Sequence, residues 1–277
     1  MTDDITTGSF YDGHITIKQY RDGYRFSIDA VLLAGFVRPE RGDRIVDLGT
    51  GCGIIPLILT DSYPDIKVYG IEVQEQLAKL ADLNIKENRM ENQVAILCSD
   101  MKDLKINMIS GPADIVVSNP PYRKVDSGRI NPDRQKAVAR HEIKATLNDL
   151  IKTADRFLNI SGKFFVVYPA ERMVDMLTVM RSYDIEPKYI RMVHSKGHEQ
   201  AKLILLKGIK GSRPGIITGP PLVIYQNNGK YTAEITGLYN YKMRDFIDFK
   251  TVRELTENNL RILFALLFVF YVAVTVV

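Results

Sequence analysis

The sequence predicts an α/β fold: a seven-stranded, mostly parallel β-sheet with helices on both faces, preceded by an N-terminal β-hairpin. Short apolar runs alternate with stretches of helical periodicity from Arg44 onward, which is the pattern of βαβ units. A glycine-rich turn joins the first of these runs to the first helical stretch. The composition, with 45% hydrophobic and 25% charged residues, excludes a disordered or fibrous protein.

The N-terminal segment predicts the β-hairpin and a short helix. Ile15 and Ile17 alternate with polar neighbours, and residues 24–26 resume that alternation. Between them, Asp22-Gly23 supplies the positive φ angles that a tight turn needs. A helix is expected over residues 29–37, just before a proline.

The rest of the chain predicts the alternating strands and helices of the sheet. Strands are expected at residues 45–48, 68–71, 94–97, 114–117, 163–168, 189–193 and 202–206. Helices are expected from residue 54 to about 59 and over residues 75–87, 147–157 and 171–181. The last two strands are close in sequence, which predicts a hairpin at the sheet edge. We expect three parts: an extension over residues 1–40, the α/β domain over 41–240, and a tail over 241–277.

The glycine-rich turn carries an acidic residue. It reads Asp47-Leu48-Gly49-Thr50-Gly51-Cys52-Gly53, and it lacks the Gly-Lys-Ser/Thr of a Walker loop. An aspartate at this point would repel a pyrophosphate but would attract a cationic amino group or sulfonium. The charge therefore favours S-adenosylmethionine over a dinucleotide. The alternative is a structural turn that holds no ligand.

Two further carboxylates follow the next strands. Glu72 ends the second strand, where a carboxylate can bind both hydroxyls of a ribose. Asp100 follows the third strand and can meet an adenine amino group. Each alone is more often a solvated side chain at a strand end. Together with Asp47 they line the crevice where open α/β sheets bind ligands, which predicts a nucleoside site.

The fourth strand ends in Asn119-Pro120-Pro121-Tyr122. Two prolines cannot donate ladder hydrogen bonds, so the strand stops there and the backbone becomes rigid. The Asn119 side-chain oxygen and the Pro120 carbonyl can accept both protons of one planar amino group, and Tyr122 can stack on its ring. A turn that merely ends a strand is the alternative, and the nucleoside site upstream disfavours it.

A long segment after this motif is rich in basic residues. Residues 124–144 show no sustained periodicity, and loops of this length inside an α/β domain are often functional. We weigh two interpretations equally, a clamp for nucleic-acid phosphates and an ordinary solvated loop. The candidate substrate-binding residues are Lys124, Arg129, Arg134, Lys136 and Arg140.

Together these motifs resemble the Rossmann-like, class I S-adenosylmethionine-dependent methyltransferases that act on planar nitrogens. Most similar is the bacterial tRNA(Val) adenine-37 N6-methyltransferase family, over about residues 10–234. The matching pieces are residues 26–33, 47–53, 119–122 and 134–142, with Glu72 and Asp100. The Asn-Pro-Pro-Tyr motif is shared with methyltransferases that act on protein glutamine and on DNA adenine, so it indicates the chemistry better than the substrate.

The resemblance implies methyl transfer to the exocyclic N6 of an adenine beside the tRNA anticodon. Such a base has to be flipped out of its stack to reach the pocket. The implied catalytic residues are Asn119, Pro120, Pro121 and Tyr122. The implied cofactor-binding residues are Asp29, Asp47, Gly49, Gly51, Gly53, Glu72, Asp100 and Asn119.

Three other functions remain as alternatives. A protein glutamine N5-methyltransferase usually carries an N-terminal helical substrate domain, for which this chain has no room. A DNA adenine methyltransferase usually carries a recognition domain after the core, which is missing here too. A nucleic-acid-binding module without catalysis is disfavoured by the intact Asn-Pro-Pro-Tyr motif and acidic strand ends.

Charge, cysteine content and the termini bound the partners and the compartment. A net charge of +4 permits the tRNA partner without requiring a polyanion, and no metal is expected. Two cysteines fit a reducing cytosol and the acidic start predicts no signal peptide, so we expect a cytoplasmic protein. We also expect a monomer. Residues 262–277 carry no charge and are rich in Leu, Phe and Val. They could form a membrane contact or anchor, a packed terminal element, or a segment foreign to the fold.

Overall fold

A mixed β-sheet forms the centre of the computed structural model, which describes residues 5–21, 25–120 and 146–239. The strands are β1 (Ile5–Phe10), β2 (Ile15–Tyr20), β3 (Arg44–Leu48), β4 (Lys67–Glu72), β5 (Val94–Cys98), β6 (Ala113–Ser118), β7 (Leu158–Pro169), β8 (Ile185–His194), β9 (Ala201–Lys210), β10 (Ile217–Thr218) and β11 (Leu222–Val223). The helices are α1 (Ile28–Phe36), α2 (Ile54–Ser62), α3 (Glu75–Glu87), α4 (Leu147–Phe157), α5 (Met173–Ser182) and α6 (Ala233–Tyr239).

The main sheet has the order β5-β4-β3-β6-β7-β9-β8-β10. All neighbouring strands are parallel except β9, which runs antiparallel between β7 and β8. The expected hairpin near the sheet edge is therefore β8 with β9. Because β3 lies between β4 and β6, the carboxyl ends of β3 to β6 meet along one edge of the sheet.

The described part of the chain has nine strands in this sheet, where seven were expected. The additional strands, β10 and β11, have two residues each and both pair in parallel with β8. Segments this short show no periodicity of their own, and only their pairing with β8 makes them strands. The seven longer strands are those that the sequence predicts.

Helices cover both faces of the sheet, as expected. Alternate residues of each strand point to opposite faces, so Ile115 packs in one core and Val116 in the other. The first core contains the apolar residues of α1, α2 and α3, and the second contains those of α4 and α5. At the start of α4, Thr146 and Asp149 form a reciprocal capping box.

The N-terminal hairpin is present, but its turn was predicted in the wrong place. β1 pairs antiparallel with β2, and the connection is residues 11–14, where Tyr11, Asp12 and Gly13 have positive φ angles. The chain contains two Asp-Gly pairs, and the one at positions 12 and 13 makes the turn. The polar composition of β1 hides it from periodicity, whereas burial of Ile15 and Ile17 fixes β2. The pair Asp22-Gly23 lies outside the described residues.

Within the described ranges, none of the helices is both long and apolar enough to cross a membrane. The apolar segment at residues 262–277 lies outside these ranges. The division into residues 1–40, 41–240 and 241–277 stays a prediction.

Candidate active site

The predicted site residues lie where β3 to β6 end side by side. Leu48 of β3 is in register with Ile71 of β4 and with Ser118 of β6, and Glu72 is in register with Cys98 of β5. Along this single edge of the sheet the residues therefore lie in the order Asp100, Glu72, Asp47 and Asn119. This is the edge at which open α/β sheets bind ligands.

The glycine turn is held by backbone hydrogen bonds between β3 and α2. The amides of Gly49 and Thr50 both donate to the Ile71 carbonyl at 2.9 Å. Gly49, Gly51 and Gly53 have φ angles of +81°, +59° and +85°, which are strained for any other residue. A Cβ on Gly53 would lie 3.3 Å from the Cβ of Ala81 on α3. Glycine at this position therefore allows both the turn and the close approach of α3.

Glu72 is buried against the glycine turn. Its Oε2 accepts a hydrogen bond from the Gly51 amide at 3.0 Å, and its Oε1 accepts one from the Gln74 amide at 2.9 Å. Burial raises the pKa of Glu72, and the backbone hydrogen bonds oppose this rise. A carboxylate oxygen can accept more than one hydrogen bond, so each oxygen keeps capacity for a hydroxyl group. This geometry fits a pair of ribose hydroxyls.

Asp47 is a buried carboxylate without a hydrogen-bond partner among the described residues. Its side chain is inaccessible to solvent, and neither its oxygens nor the Thr50 hydroxyl makes a hydrogen bond there. Burial raises the pKa of Asp47 from 3.8 to about 7, and the charge of Glu72 adds to this. The nearby Thr50 hydroxyl lowers this pKa in part, although it is not in hydrogen-bonding geometry. Unpaired buried carboxylates are costly, and a cationic or donor group of a ligand would satisfy this one.

Asp100 and Asp29 are less buried than Asp47 and Glu72. Asp100 Oδ1 accepts a hydrogen bond from the Lys102 amide at 3.0 Å, and Oδ2 lies 3.5 Å from the Lys102 ammonium. Asp100 thus stands at the predicted edge but has local partners. Asp29 is half-buried in the first turn of α1, a helix that packs against α2.

The end of β6 is tied to the end of β3. The hydroxyl of Ser118, which is fully buried, donates to the Leu48 carbonyl at 2.7 Å. Asn119 follows directly and is half-buried, and Pro120 is buried. The Ser118 bond therefore holds Asn119 close to the start of the glycine turn.

Several predicted residues lie outside the described part of the chain. Pro121 and Tyr122 belong to this group, and so does the whole basic segment. The basic residues concerned are Lys124, Arg129, Arg134, Lys136 and Arg140. Their roles stay predictions.

Sequence reasoning missed Asn84, which contacts the glycine turn from α3. Asn84 is fully buried, and its Nδ2 donates to the Cys52 carbonyl at 2.9 Å. The neighbouring Leu83, although apolar, is 37% exposed. The sequence did contain a signal for this role: Asn84 and Asn88 are four residues apart, so they lie on the same face of the helix, which is otherwise apolar.

A family model for the methyltransferase small domain matches residues 27–183, more than half of the chain. The chain belongs to the methyltransferase small domain family. The expected enzyme class and Rossmann-like fold are thereby confirmed, and S-adenosylmethionine as methyl donor agrees with this assignment.

Curated relatives of this methyltransferase share most of its length. A Porphyromonas gingivalis protein named tRNA1(Val) (adenine(37)-N6)-methyltransferase is 29% identical over 243 residues, which cover 84% of this chain and 94% of the relative. A Pedobacter heparinus protein with the same name is 27% identical, with 83% and 94% covered. The similarity therefore extends well beyond the family domain.

Solved structures show the same fold. A predicted O-methyltransferase, Atu636 from Agrobacterium tumefaciens, superposes with a TM-score of 0.63 at 21% identity, covering 78% of this chain and 96% of that chain. The aTrm5 protein in its complex with tRNALeu superposes with a TM-score of 0.54 at 15% identity, covering 76% of this chain and 54% of that chain. At these identities the likeness concerns the fold alone.

Proposed function

We propose that this methyltransferase transfers a methyl group from S-adenosylmethionine to N6 of adenine 37 in tRNA(Val). The relatives named for this reaction align with more than four fifths of the chain. The structural observation that carries the proposal is the carboxylate of Asp47, which is buried beside Glu72 and has no hydrogen-bond partner in the part of the chain that the structure describes. A nucleoside with a cationic group satisfies both carboxylates, whereas a pyrophosphate would be repelled.

S-adenosylmethionine would supply a methyl group bound to a positively charged sulfur. The glycine turn and the acidic residues at the same sheet edge would hold this donor. In this proposal Glu72 binds the ribose hydroxyls through the free lone pairs of its two oxygens. Asp47 faces the cationic end, with Asp29 near the methionine part, and Asp100 accepts from the adenine amino group. Gly49, Gly51 and Gly53 keep the backbone of the turn open to the ligand.

The Asn-Pro-Pro-Tyr motif holds the base. The Asn119 side-chain oxygen and the Pro120 carbonyl would accept hydrogen bonds from the two N–H groups of the adenine amino group, which orients the nitrogen lone pair for attack. As the N–C bond forms and the S–C bond breaks, S-adenosylhomocysteine leaves and the nitrogen loses one proton to solvent. Pro121 stiffens this turn, and Tyr122 stacks on the flipped base. Such positioning can supply about 7–11 kcal/mol of a barrier. Asn119 also borders the cofactor, since the Ser118 bond keeps it beside the glycine turn.

The basic segment would contact the phosphates around the flipped base. Its candidate residues are Lys124, Arg129, Arg134, Lys136 and Arg140. Contacts of this kind make binding weaker as salt concentration rises. A cytoplasmic monomer that uses no metal completes the proposal.

The test supplies the purified protein with labelled S-adenosylmethionine and a tRNA(Val) transcript. We expect N6-methyladenosine by mass spectrometry of the nucleosides, and none from a transcript with guanine at position 37. Label that enters release factor or DNA but not tRNA would establish one of the alternative substrates. An absence of label in all three would indicate a binding module without catalysis.

The division of roles is tested with Asn119→Ala. Removing the side-chain oxygen should abolish methyl transfer while the Kd for S-adenosylhomocysteine stays within about threefold of wild type. Equal loss of transfer and of binding would contradict the role of Asn119 in orienting the base.

A further inference from the structure

Two asparagines, Asn84 on α3 and Asn88 directly after its last residue, bind the backbone of β2 as a neighbouring strand would. Asn88 Oδ1 accepts from the Thr16 amide at 2.9 Å, and its Nδ2 donates to the Thr16 carbonyl at 2.7 Å. Asn84 does the same for Lys18, at 2.8 and 3.0 Å. The match is possible because residues two apart on a strand and four apart on a helix are both about 6–7 Å apart.

Only Asn84 also reaches the glycine turn. Its Nδ2 carries two hydrogens, and the second bonds to the Cys52 carbonyl. The corresponding second bond of Asn88 goes to the Asn84 carbonyl within α3. The two asparagines therefore make the same bonds to the hairpin and differ in one contact, which lies in the candidate cofactor site.

This contact restrains the part of the turn between Gly51 and Gly53. The Gly51 amide is held by Glu72 and the Cys52 carbonyl is held by Asn84, so the Thr50–Gly51 and Cys52–Gly53 peptides are both tied to neighbouring elements. Gly51 and Gly53 flank this point with positive φ angles and have wide conformational freedom. Without the Asn84 bond the turn would sample more conformations, and ordering them on ligand binding would cost affinity.

We propose that Asn84 is a positioning residue for the cofactor, which fixes the glycine turn and couples the N-terminal hairpin to it. The proposal rests on the proposed binding of S-adenosylmethionine at this turn. Asn84 does not touch the ligand; it acts through the Cys52 carbonyl. Its loss raises the Kd and KM for the cofactor and leaves kcat at saturating cofactor close to wild type.

Asn88 provides a matched control, because the hairpin has other attachments. Ile15 and Ile17 are buried in the core beneath it, and Lys18 forms an ion pair with Glu87. Loss of either asparagine side chain leaves one backbone pair of β2 without its partner. Asn84→Ala and Asn88→Ala should therefore both lower Tm, while the hairpin stays docked through its apolar face.

The experiment compares the Kd for S-adenosylhomocysteine in both variants by calorimetry. We expect Asn84→Ala to weaken binding about tenfold, the usual effect of one lost hydrogen bond, and Asn88→Ala to change it less than twofold. Equal changes in both variants, or no change in either, would show that Asn84 only supports the fold. Asn84→Ser is measured in parallel, and its Kd decides the question if the alanine variant does not fold.

Thiol labelling of Cys52 gives a second readout of the turn itself. Cys52 is fully buried and Cys98 is exposed, so a Cys98→Ser background leaves only the buried thiol to react when the turn opens. Labelling should be faster with Asn84→Ala than with Asn88→Ala, and equal rates would overturn the proposal.

The variant Glu72→Gln separates this inference from the proposed function. If Glu72→Gln leaves the Kd unchanged, the cofactor does not bind at this turn and both proposals fail. If Glu72→Gln weakens binding and Asn84→Ala does not, the cofactor site stands and only the role of Asn84 is wrong.

Discussion

The buried carboxylate of Asp47 gives this protein a specific dependence on pH. Folding raises the pKa of Asp47 from 3.8 to about 7, because burial removes the charge from water. The folded state therefore binds this proton more tightly than the unfolded state does. The contribution of Asp47 to stability is fully present below about pH 4 and is lost as the pH rises to about 7.

The size of the effect follows from the two pKa values of Asp47. At 1.36 kcal/mol per pKa unit, the free energy of unfolding that is lost well above pH 7 is about 4 kcal/mol. About 2.5 kcal/mol of it develops between pH 5 and pH 8. The variant Asp47→Asn has no charge to bury, although its amide is also unpartnered, which lowers its stability by a similar amount at both pH values.

The free energy of unfolding of wild type and Asp47→Asn should therefore diverge with pH. Measured by urea denaturation, the variant should gain about 2.5 kcal/mol relative to wild type between pH 5 and pH 8, or roughly 5–10 °C in Tm. If the difference between the two proteins is the same at both pH values, Asp47 ionises normally in the fold and the reasoning is wrong.

The affinity for the cofactor should change with pH in the opposite direction to the stability of the fold. A cationic group beside Asp47 restores the charged form, so binding near pH 7 releases a proton and tightens as the pH rises from 6 to 8. Calorimetry in buffers of different ionisation enthalpy measures this proton, which should be absent with Asp47→Asn. Proton release that persists in the variant would assign it to another group.

Two further substitutions test the packing of the glycine turn and the ion pair between β8 and α6. Gly53→Ala should lower stability by about 1–3 kcal/mol, more than Gly42→Ala, because both glycines have φ near +85° but only Gly53 faces Ala81; equal losses in thermal denaturation would exclude a role for the close approach. Glu234→Ala should cost about 1–3 kcal/mol because Arg191, 5% exposed, loses the carboxylate that binds it and keeps the Pro220 and Pro221 carbonyls. Glu186→Ala, whose partner Arg181 is exposed, should cost less than about 1 kcal/mol, and an equal loss in urea denaturation would contradict the reasoning.

The strands and helices of the sheet were largely predictable from local sequence. The bounds of α3 and α4 agree with those expected, because burial on one face imposes a helical period on the chain. The glycine turn was also visible, since few other residues adopt its φ angles. The acidic strand ends follow from the parallel order of β3 to β5, which βαβ connections enforce.

The amino-acid sequence alone was enough to specify the class of fold and the sheet edge at which the predicted acidic residues lie, because periodicity and steric limits act over short stretches of chain. The three-dimensional fold set which Asp-Gly pair makes the hairpin turn, that Asn84 is buried while Leu83 is exposed, and that Asp47 has no hydrogen-bond partner within residues 5–21, 25–120 and 146–239. Each of these depends on residues far away in the chain. Pairing, burial and pKa values are properties of the assembled neighbours, and no local pattern encodes them.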